Sequence, residues 1–380
     1  MKKTIVIIVL SLLAGLVSNA QVVYSERLVQ LAQQGNVNAQ LYLGDLYRQG
    51  TGGVVQDIPQ AIYWYRKAAD QGSVVGQYYL GYIPFMGLGG TTKNYEQAVF
   101  WFQKAADQGL SHAQFMLGQC YERGWGTAKN TSQAFSWYQK AGDQNQLDAL
   151  LHLGDFYEKG EAVQQDYQKA VEYYHKAFEA GNEVAAYNLG RCYYSGIGVS
   201  QDYTAAASWF RKSAEKGFIT AQIYLGECFM KGEGVAQDYY QALQWYRKAA
   251  DNNGQAAKVA QYYIGRLYLE GKGVAKDYES AYSWFYKAYT QDYVPAMASI
   301  AEMYYCGYYL ANDYNKAFEL FKKAAEATEY PSGDAMKRLS DCYRFGKGTV
   351  QDINKADYWL KKAQETGSDS ANMIKQLMNM

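Results

Sequence analysis

Between Ala221 and Asp251 the chain reads AQIYLGECFMKGEGVAQDYYQALQWYRKAAD, and its apolar positions fall into two helical registers. Ala221, Leu225, Cys228 and Phe229 recur at the i, i+4, i+7, i+8 spacing of one face of an α-helix. Ala242, Trp245, Tyr246, Ala249 and Ala250 form a second stripe, with small residues flanking large aromatic ones. The polar positions punctuate this pattern. Gly232 supplies the left-handed residue at which a first helix ends, and Asp238 suits the N-cap of a second, with Gln241 placed as its capping-box partner. Gly226 interrupts the first apolar face, where glycine costs about 1 kcal/mol against alanine. It is explained if a neighbouring helix comes too close for a Cβ. Such a hairpin has apolar residues on both sides and cannot cover them alone.

Copies of the pattern fill most of the chain. The mid-helix marker is Gly44, Gly81, Gly118, Gly154, Gly190, Gly226 and Gly265, then Ala301 and Ser340. Successive markers lie 36 to 39 residues apart, the period of a solenoid. The capping position keeps step as Asp57, Asn94, Asn130, Asp166, Asp202, Asp238, Asp277, Asp313 and Asp352. So does the large residue of the second helix: Trp64, Trp101, Trp137, Tyr173, Trp209, Trp245, Trp284, Leu320 and Trp359.

The common pattern, A-x-x-x-L-G-x-x-Y-x-x-G-x-G-V-x-x-D-Y-x-x-A-x-x-W-Y-x-K-A-A-x-x-G, resembles the Sel-1-like repeat family, a subtype of tetratricopeptide-like helical hairpins. The resemblance covers roughly residues 36 to 367. It implies an all-α fold, a right-handed α/α superhelical solenoid of about nine helix-turn-helix repeats with half-repeat caps. It also implies a role in holding partners on a curved surface. Two copies depart locally: Pro84 falls within a first helix, which proline kinks or shortens, and Cys306-Gly307-Tyr308-Tyr309-Leu310 lacks the second loop glycine.

The ends read differently. Residues 1–20 have the form of a signal peptide: Lys2 and Lys3, an apolar run from Ile5 to Val17, and Ser18-Asn19-Ala20 as a small-x-small cleavage site. The run is shorter than the roughly 20 residues of a membrane span. The mature chain is then expected near Gln21, exported to a periplasmic or extracellular space, with no membrane span of its own. Residues 21–35 read as an N-terminal capping helix, SERLVQLAQQG aligning with the end of a repeat. Residues 368–380 read as a C-terminal capping helix that starts like a first helix and stops.

Composition narrows the partners. With 37 basic and 37 acidic residues the chain has no net charge to offer a nucleic acid or an anionic membrane. Its 39 tyrosines exceed what the repeat core explains. Cys120, Cys192, Cys228 and Cys342 all follow the mid-helix marker by two residues. Equivalent atoms of adjacent hairpins stand about 8–10 Å apart, beyond the reach of a disulfide, so these cysteines read as buried small hydrophobes. A secreted branch of the family carries paired cysteines in each repeat and is linked to penicillin binding; that pairing is missing here.

Candidate chemistry is sparse. His112, His152 and His175 occupy different repeat positions without metal-ligand spacing. Ser213-Ala214-Glu215-Lys216 matches the S-x-x-K of penicillin-recognising enzymes, but Ser213 stands where other copies have alanine. The G-x-G loops precede no strand-to-helix unit and are hairpin turns. Neither a catalytic residue, a cofactor nor a metal is expected.

What remains is the surface of the first helices. Three residues after each leading alanine come Tyr42, Tyr79, Met116, His152, Asn188, Tyr224, Tyr263, Ser299 and Arg338. Three further on come Asp45, Tyr82, Gln119, Asp155, Arg191, Glu227, Arg266, Glu302 and Asp341. Tyrosines mixed with isolated charges suit an extended peptide, a protein segment or a glycan. Tyr42, Tyr79, Tyr224 and Tyr263 with Arg191 and Arg266 are the expected partner-binding residues of a concave face; the other reading of these tyrosines is packing between hairpins. The function expected is a non-enzymatic protein–protein interaction scaffold in the bacterial cell envelope, binding a protein or peptide partner. A peptidoglycan or other cell-wall glycan is the second reading, and a penicillin-binding or beta-lactamase-like hydrolase the third.

Overall fold

The computed structural model describes residues 23–367 apart from 253 and 329, so the expected signal peptide and C-terminal cap lie outside the described residues. Among the described residues there are nineteen α-helices and no strand. The chain divides into two compact units at Asn182/Glu183.

In the first unit α1 (Glu26–Gln33) precedes four hairpins. These pair α2 (Val37–Gln49) with α3 (Ile58–Asp70), α4 (Val74–Met86) with α5 (Tyr95–Asp107), α6 (Ser111–Arg123) with α7 (Thr131–Gly142), and α8 (Leu147–Lys159) with α9 (Tyr167–Glu179). The second unit holds five. They pair α10 (Glu183–Ser195) with α11 (Tyr203–Glu215), α12 (Ile219–Lys231) with α13 (Tyr239–Ala250), and α14 (Ala257–Glu270) with α15 (Tyr278–Tyr289). The last two pair α16 (Val294–Cys306) with α17 (Tyr314–Ala325) and α18 (Gly333–Phe345) with α19 (Ile353–Thr366). Within each unit every helix packs on the next in sequence, the packing of an α-solenoid.

The helix ends form where the short-range pattern puts them. Asp57, Asn94, Asn130 and their six counterparts each accept the backbone N–H two or three residues on, as N-caps do. The expected capping box at Asp238 is only half made. Gln241 N–H donates to Asp238 Oδ1 at 3.0 Å, but the Asp238 N–H donates to Phe229 O at 2.9 Å and so ties the second helix to the first. Pro84 does not shorten its helix: α4 keeps thirteen residues, and the missing N–H falls in its last turn.

Gly226 is needed for the reason the sequence suggests. A Cβ there would lie 2.6 Å from Cε1 of Tyr246, whose ring is fully buried. The approaching ring belongs to the residue after the tryptophan, not to the tryptophan. Ala242, Tyr246 and Ala249 share the inward face of α13. Trp245, about 100° away around the helix, is half-buried beneath Lys248, whose Nζ stands 4.0 Å from its ring. Tyr65, Phe102, Tyr138, Tyr174, Phe210, Tyr246, Phe285 and Phe321 are the fully buried aromatics of the first eight second helices, α13 included.

A polar clip joins consecutive repeats. The buried Gln40 donates to Ala32 O at 2.9 Å, and Gln71, at the end of α3, donates to Gln40 Oε1 at 2.9 Å. Gln108 to Gln77, Gln144 to Gln114 and Gln291 to Gln261 repeat the second bond at 2.7, 2.9 and 2.8 Å. Buried polar groups require such partners.

Candidate functional site

The structure places the expected partner-binding residues in mixed surroundings. Tyr42 is half-buried on α2. Tyr79, Tyr224 and Tyr263 are 2%, 1% and 7% exposed, which withdraws their rings from any partner. Each stacks on the buried aromatic of the preceding second helix: Tyr79 on Tyr65 at 4.7 Å, Tyr224 on Phe210 at 4.9 Å, Tyr263 on Tyr246 at 4.8 Å. His152 does the same on Tyr138, also at 4.8 Å. The position three residues after the leading alanine is therefore a slot between hairpins. Arg266 is half-buried and turned to Glu270 at 2.8 Å, and Arg191 is half-buried on α10. Tyr42 and Tyr79 belong to the first unit and the other four residues to the second.

Beneath this face runs a series of acid–phenol pairs. Tyr65 donates to Asp45 at 2.7 Å, and Arg48 holds the same carboxylate at 2.9 Å. Tyr138 donates to Glu122 at 2.6 Å, and Tyr174 lies within 2.8 Å of Asp155 and 2.7 Å of Glu158. Burial raises the Asp155 pKa, and the Tyr174 hydroxyl opposes that rise. The sixth hairpin has the same residue types but not the bond. Glu227 Oε1 meets Lys231 at 2.8 Å, while Glu227 Oε2 and Tyr246 Oη are both buried without a hydrogen-bond partner.

The remaining reactive side chains are interior or scattered. Ser213 of the S-x-x-K motif is fully buried, out of reach of any acyl substrate. Cys120, Cys192, Cys228 and Cys342 are buried; burial pushes the Cys120 and Cys228 thiols up to about 12 and the Cys342 thiol up to about 11. Cys306 is half-buried with Sγ 3.3 Å from Glu302. Among the described residues no three His, Cys, Asp or Glu side chains cluster closely enough to hold a metal ion.

One surface breaks the repeat pattern, on α15, α16 and the loop that follows α16. Tyr286 is 48% exposed, at a position where the other eight second helices carry Arg66, Gln103, Gln139, His175, Arg211, Arg247, Lys322 or Lys361. Tyr289 replaces the alanine found at that position in Ala69, Ala106, Ala214, Ala250 and Ala325. Tyr309 is 51% exposed and occupies the second loop-glycine position at φ +65°. A side chain held there costs about 1 kcal/mol or more, and such strain concentrates at functional sites. The three departures join one sheet of rings. Tyr289 lies 5.9 Å from Tyr286, Tyr286 5.9 Å from Tyr282, and Tyr282 5.7 Å from Tyr309. Tyr278 and Tyr308 stack beside them at 4.7 Å. Burial and the neighbouring Tyr304 push the Tyr282 hydroxyl up to about 12. An open cavity of about 540 Å³ borders the sheet, lined by Tyr304, Leu310, Asn312, Asp313, Tyr314 and Gly348. The departures of Tyr286, Tyr289 and Tyr309 from the residues at the same positions of the other repeats are visible in the sequence.

Comparison with known proteins bears on the scaffold. The Sel1 repeat model matches residues 37–73, 74–110, 111–146, 147–182, 184–218, 219–254, 258–293, 294–328 and 333–365, each match spanning one hairpin. The chain belongs to the Sel1 repeat family. Members of this family are typically protein-interaction scaffolds. A comparison with curated proteins finds no match. Among solved structures, c5321, a protective antigen of uropathogenic Escherichia coli with an SLR fold, is similar at 29% identity and a TM-score of 0.59, covering 94% of this chain and 91% of that one. A Sel1 repeat protein from Oxalobacter formigenes is similar at 32% identity and a TM-score of 0.56, covering 68% of this chain and 96% of its own. No helix among the described residues is long and apolar enough to cross a membrane.

Proposed function

We propose that this Sel1 repeat chain is a non-enzymatic scaffold of the cell envelope that binds a peptide or protein segment on the tyrosine surface of α15 and α16. The observation that carries the reading is the convergence of three departures from the chain's own repeat, Tyr286, Tyr289 and Tyr309, on one sheet of rings in which Tyr286 and Tyr309 are exposed and Tyr289 is half-buried. Tyrosine supplies large contact area at low entropic cost and a hydroxyl to fix direction, which suits a recognition surface. Export is supported by the pattern of Lys2, Lys3 and the apolar run to Val17.

The test uses variants that restore the repeat consensus and so are not expected to unfold the chain: Tyr286→Arg and Tyr309→Gly. Residues 21–380, immobilised, are used to capture partners from the native envelope, beside the double variant. The reading requires that the double variant folds with unchanged helicity and loses the captured partner. Equal capture by both refutes this surface. The aromatic faces also favour a glycan as the second reading. Co-sedimentation with purified cell wall, abolished by the same double variant, would replace the protein partner with that one.

A further inference from the structure

One repeat has more acid around its buried phenol than the phenol can serve. The residues one and four places after the mid-helix marker are Asp45 and Arg48 in the first repeat, Gln119 and Glu122 in the third, and Asp155 and Glu158 in the fourth. Of the nine repeats only the fourth has an acid at both places. In the first, Tyr65 gives its proton to Asp45 at 2.7 Å, and Arg48 balances that carboxylate at 2.9 Å. In the third, Tyr138 gives its proton to Glu122 at 2.6 Å. The fully buried Tyr174 of the fourth meets both: its Oη stands 2.8 Å from Asp155 Oδ1 and 2.7 Å from Glu158 Oε2. A phenol has a single proton to donate, and an ionised carboxylate has none. Were both acids ionised, one of the two contacts would set lone pair against lone pair within hydrogen-bond distance. A proton on either acid removes the conflict, because the carboxyl then donates to Tyr174 while Tyr174 donates to the remaining carboxylate.

We propose that Asp155 and Glu158 hold one proton between them, so that Tyr174 Oη is bonded on both sides, and that release of this proton with rising pH loosens α9 from α8. His152 and Lys159 of α8 and Tyr174 of α9 are the other titratable groups that act on Asp155. Behind His152 lie Glu122 of α6, 3.5 Å from its Nδ1, and Tyr138 of α7, stacked on its ring at 4.8 Å. Burial raises the Asp155 pKa and Glu158 adds to the rise, against the pull of Tyr174, His152 and Lys159. Two acids gathered on one donor titrate as a pair, the second proton leaving later than the first. The folded chain then keeps a proton that an unfolded chain gives up at about pH 4. Stability contributed by the fourth hairpin therefore falls as pH rises through the upper midpoint of the pair. The first hairpin, with Arg48 in place of the second acid, has no such proton to lose.

The test is a carbon-13 NMR titration of the side-chain carboxyls in the full chain, assigned with Asp155→Asn and Glu158→Gln. Asp155 and Glu158 should titrate together in two steps, the upper one above the ordinary carboxylate range. Each variant should return the surviving acid to a single, lower midpoint, and His152→Gln should leave the upper step in place. Amide hydrogen exchange supplies the structural readout. Below the upper midpoint, α8 and α9 should exchange more slowly relative to α2 and α3, by about tenfold for each unit that the midpoint is raised. Two wild-type carboxyls that both titrate in the ordinary range overturn the shared proton, and this outcome needs no variant. An Asp155 midpoint unchanged in Glu158→Gln assigns the rise to burial alone and overturns it too, as does an upper step that vanishes in His152→Gln. Equal relative exchange on both sides of the upper midpoint overturns the loosening of α9 from α8.

Discussion

Glu227→Asp should stabilise the protein, although it removes a methylene group and an ion pair. In the first and fourth hairpins the same register position is an aspartate that takes the buried phenol directly, Asp45 from Tyr65 at 2.7 Å and Asp155 from Tyr174 at 2.8 Å. Glu227 is one carbon longer, reaches Lys231 at 2.8 Å, and leaves its second oxygen and the Tyr246 hydroxyl buried and unpaired. Each such orphan costs about 1–3 kcal/mol, and a hydrogen bond to a charged acceptor contributes about 1.5–3 kcal/mol. Against this stands the Lys231 pair, with the lysine side chain 40% exposed, a contact worth about 1 kcal/mol or less. The shortened side chain loses about 0.8 kcal/mol more. The balance is a gain of about 1–2 kcal/mol.

The assay is guanidinium denaturation with hydrogen exchange at the amides of α12 and α13. Solenoids unfold in parts, so a local probe is needed beside the global midpoint. Tyr246→Phe and Tyr65→Phe complete the comparison. The first deletes an orphan and should be neutral or stabilising; the second strips a partner from Asp45 and should cost about 1–2 kcal/mol. A lower midpoint and faster exchange in Glu227→Asp, or equal losses in the two phenylalanine variants, would refute the account of this pair.

Ser213→Ala should raise the unfolding midpoint by the equivalent of about 1–2 kcal/mol, because the Ser213 hydroxyl is buried without a partner; a lower midpoint would show that the hydroxyl has one. Ala162 sits at φ +60°, at a position that is glycine in seven other repeats, so Ala162→Gly should gain about 1 kcal/mol, read from the guanidinium midpoint at constant slope. Burial lowers the His112 pKa, with Asp148 opposing, so the unfolded chain takes up that proton first. Stability contributed by this site should therefore fall as pH drops through about 6.5 and onward to the folded-state value. An NMR titration of His112 with a midpoint at or above the free-imidazole value would contradict this.

The sequence made some features legible because their causes are local. An N-cap such as Asp238 acts on a backbone N–H three residues away, so its role is visible within a few letters. Gly226 could be read as a close approach, since little else explains glycine amid an apolar helical face. What approaches it was not legible. Trp245 and Tyr246 are adjacent and both aromatic, and only the rotation of α13 against α12 decides which one is buried. The same limit hid the fate of Tyr79, Tyr224 and Tyr263. Their helical register is right for an exposed face, but the preceding hairpin supplies a ring that covers them, and helical periodicity within one element says nothing about the next.

That limit also indicates how a repeat protein can carry a site. Most positions here are fixed by the need to stack one hairpin on another, and a residue that recurs in every copy is accounted for by that need. Tyr286 and Tyr309 serve no such need. One replaces a solvated cation or amide, and the other holds a left-handed turn that seven other repeats give to glycine. Both changes leave an aromatic ring about half exposed, at a cost in hydration for one and in backbone strain for the other. A stack that only had to stand would have kept the arginine and the glycine. The two rings meet across Tyr282, and stability alone does not call for that arrangement.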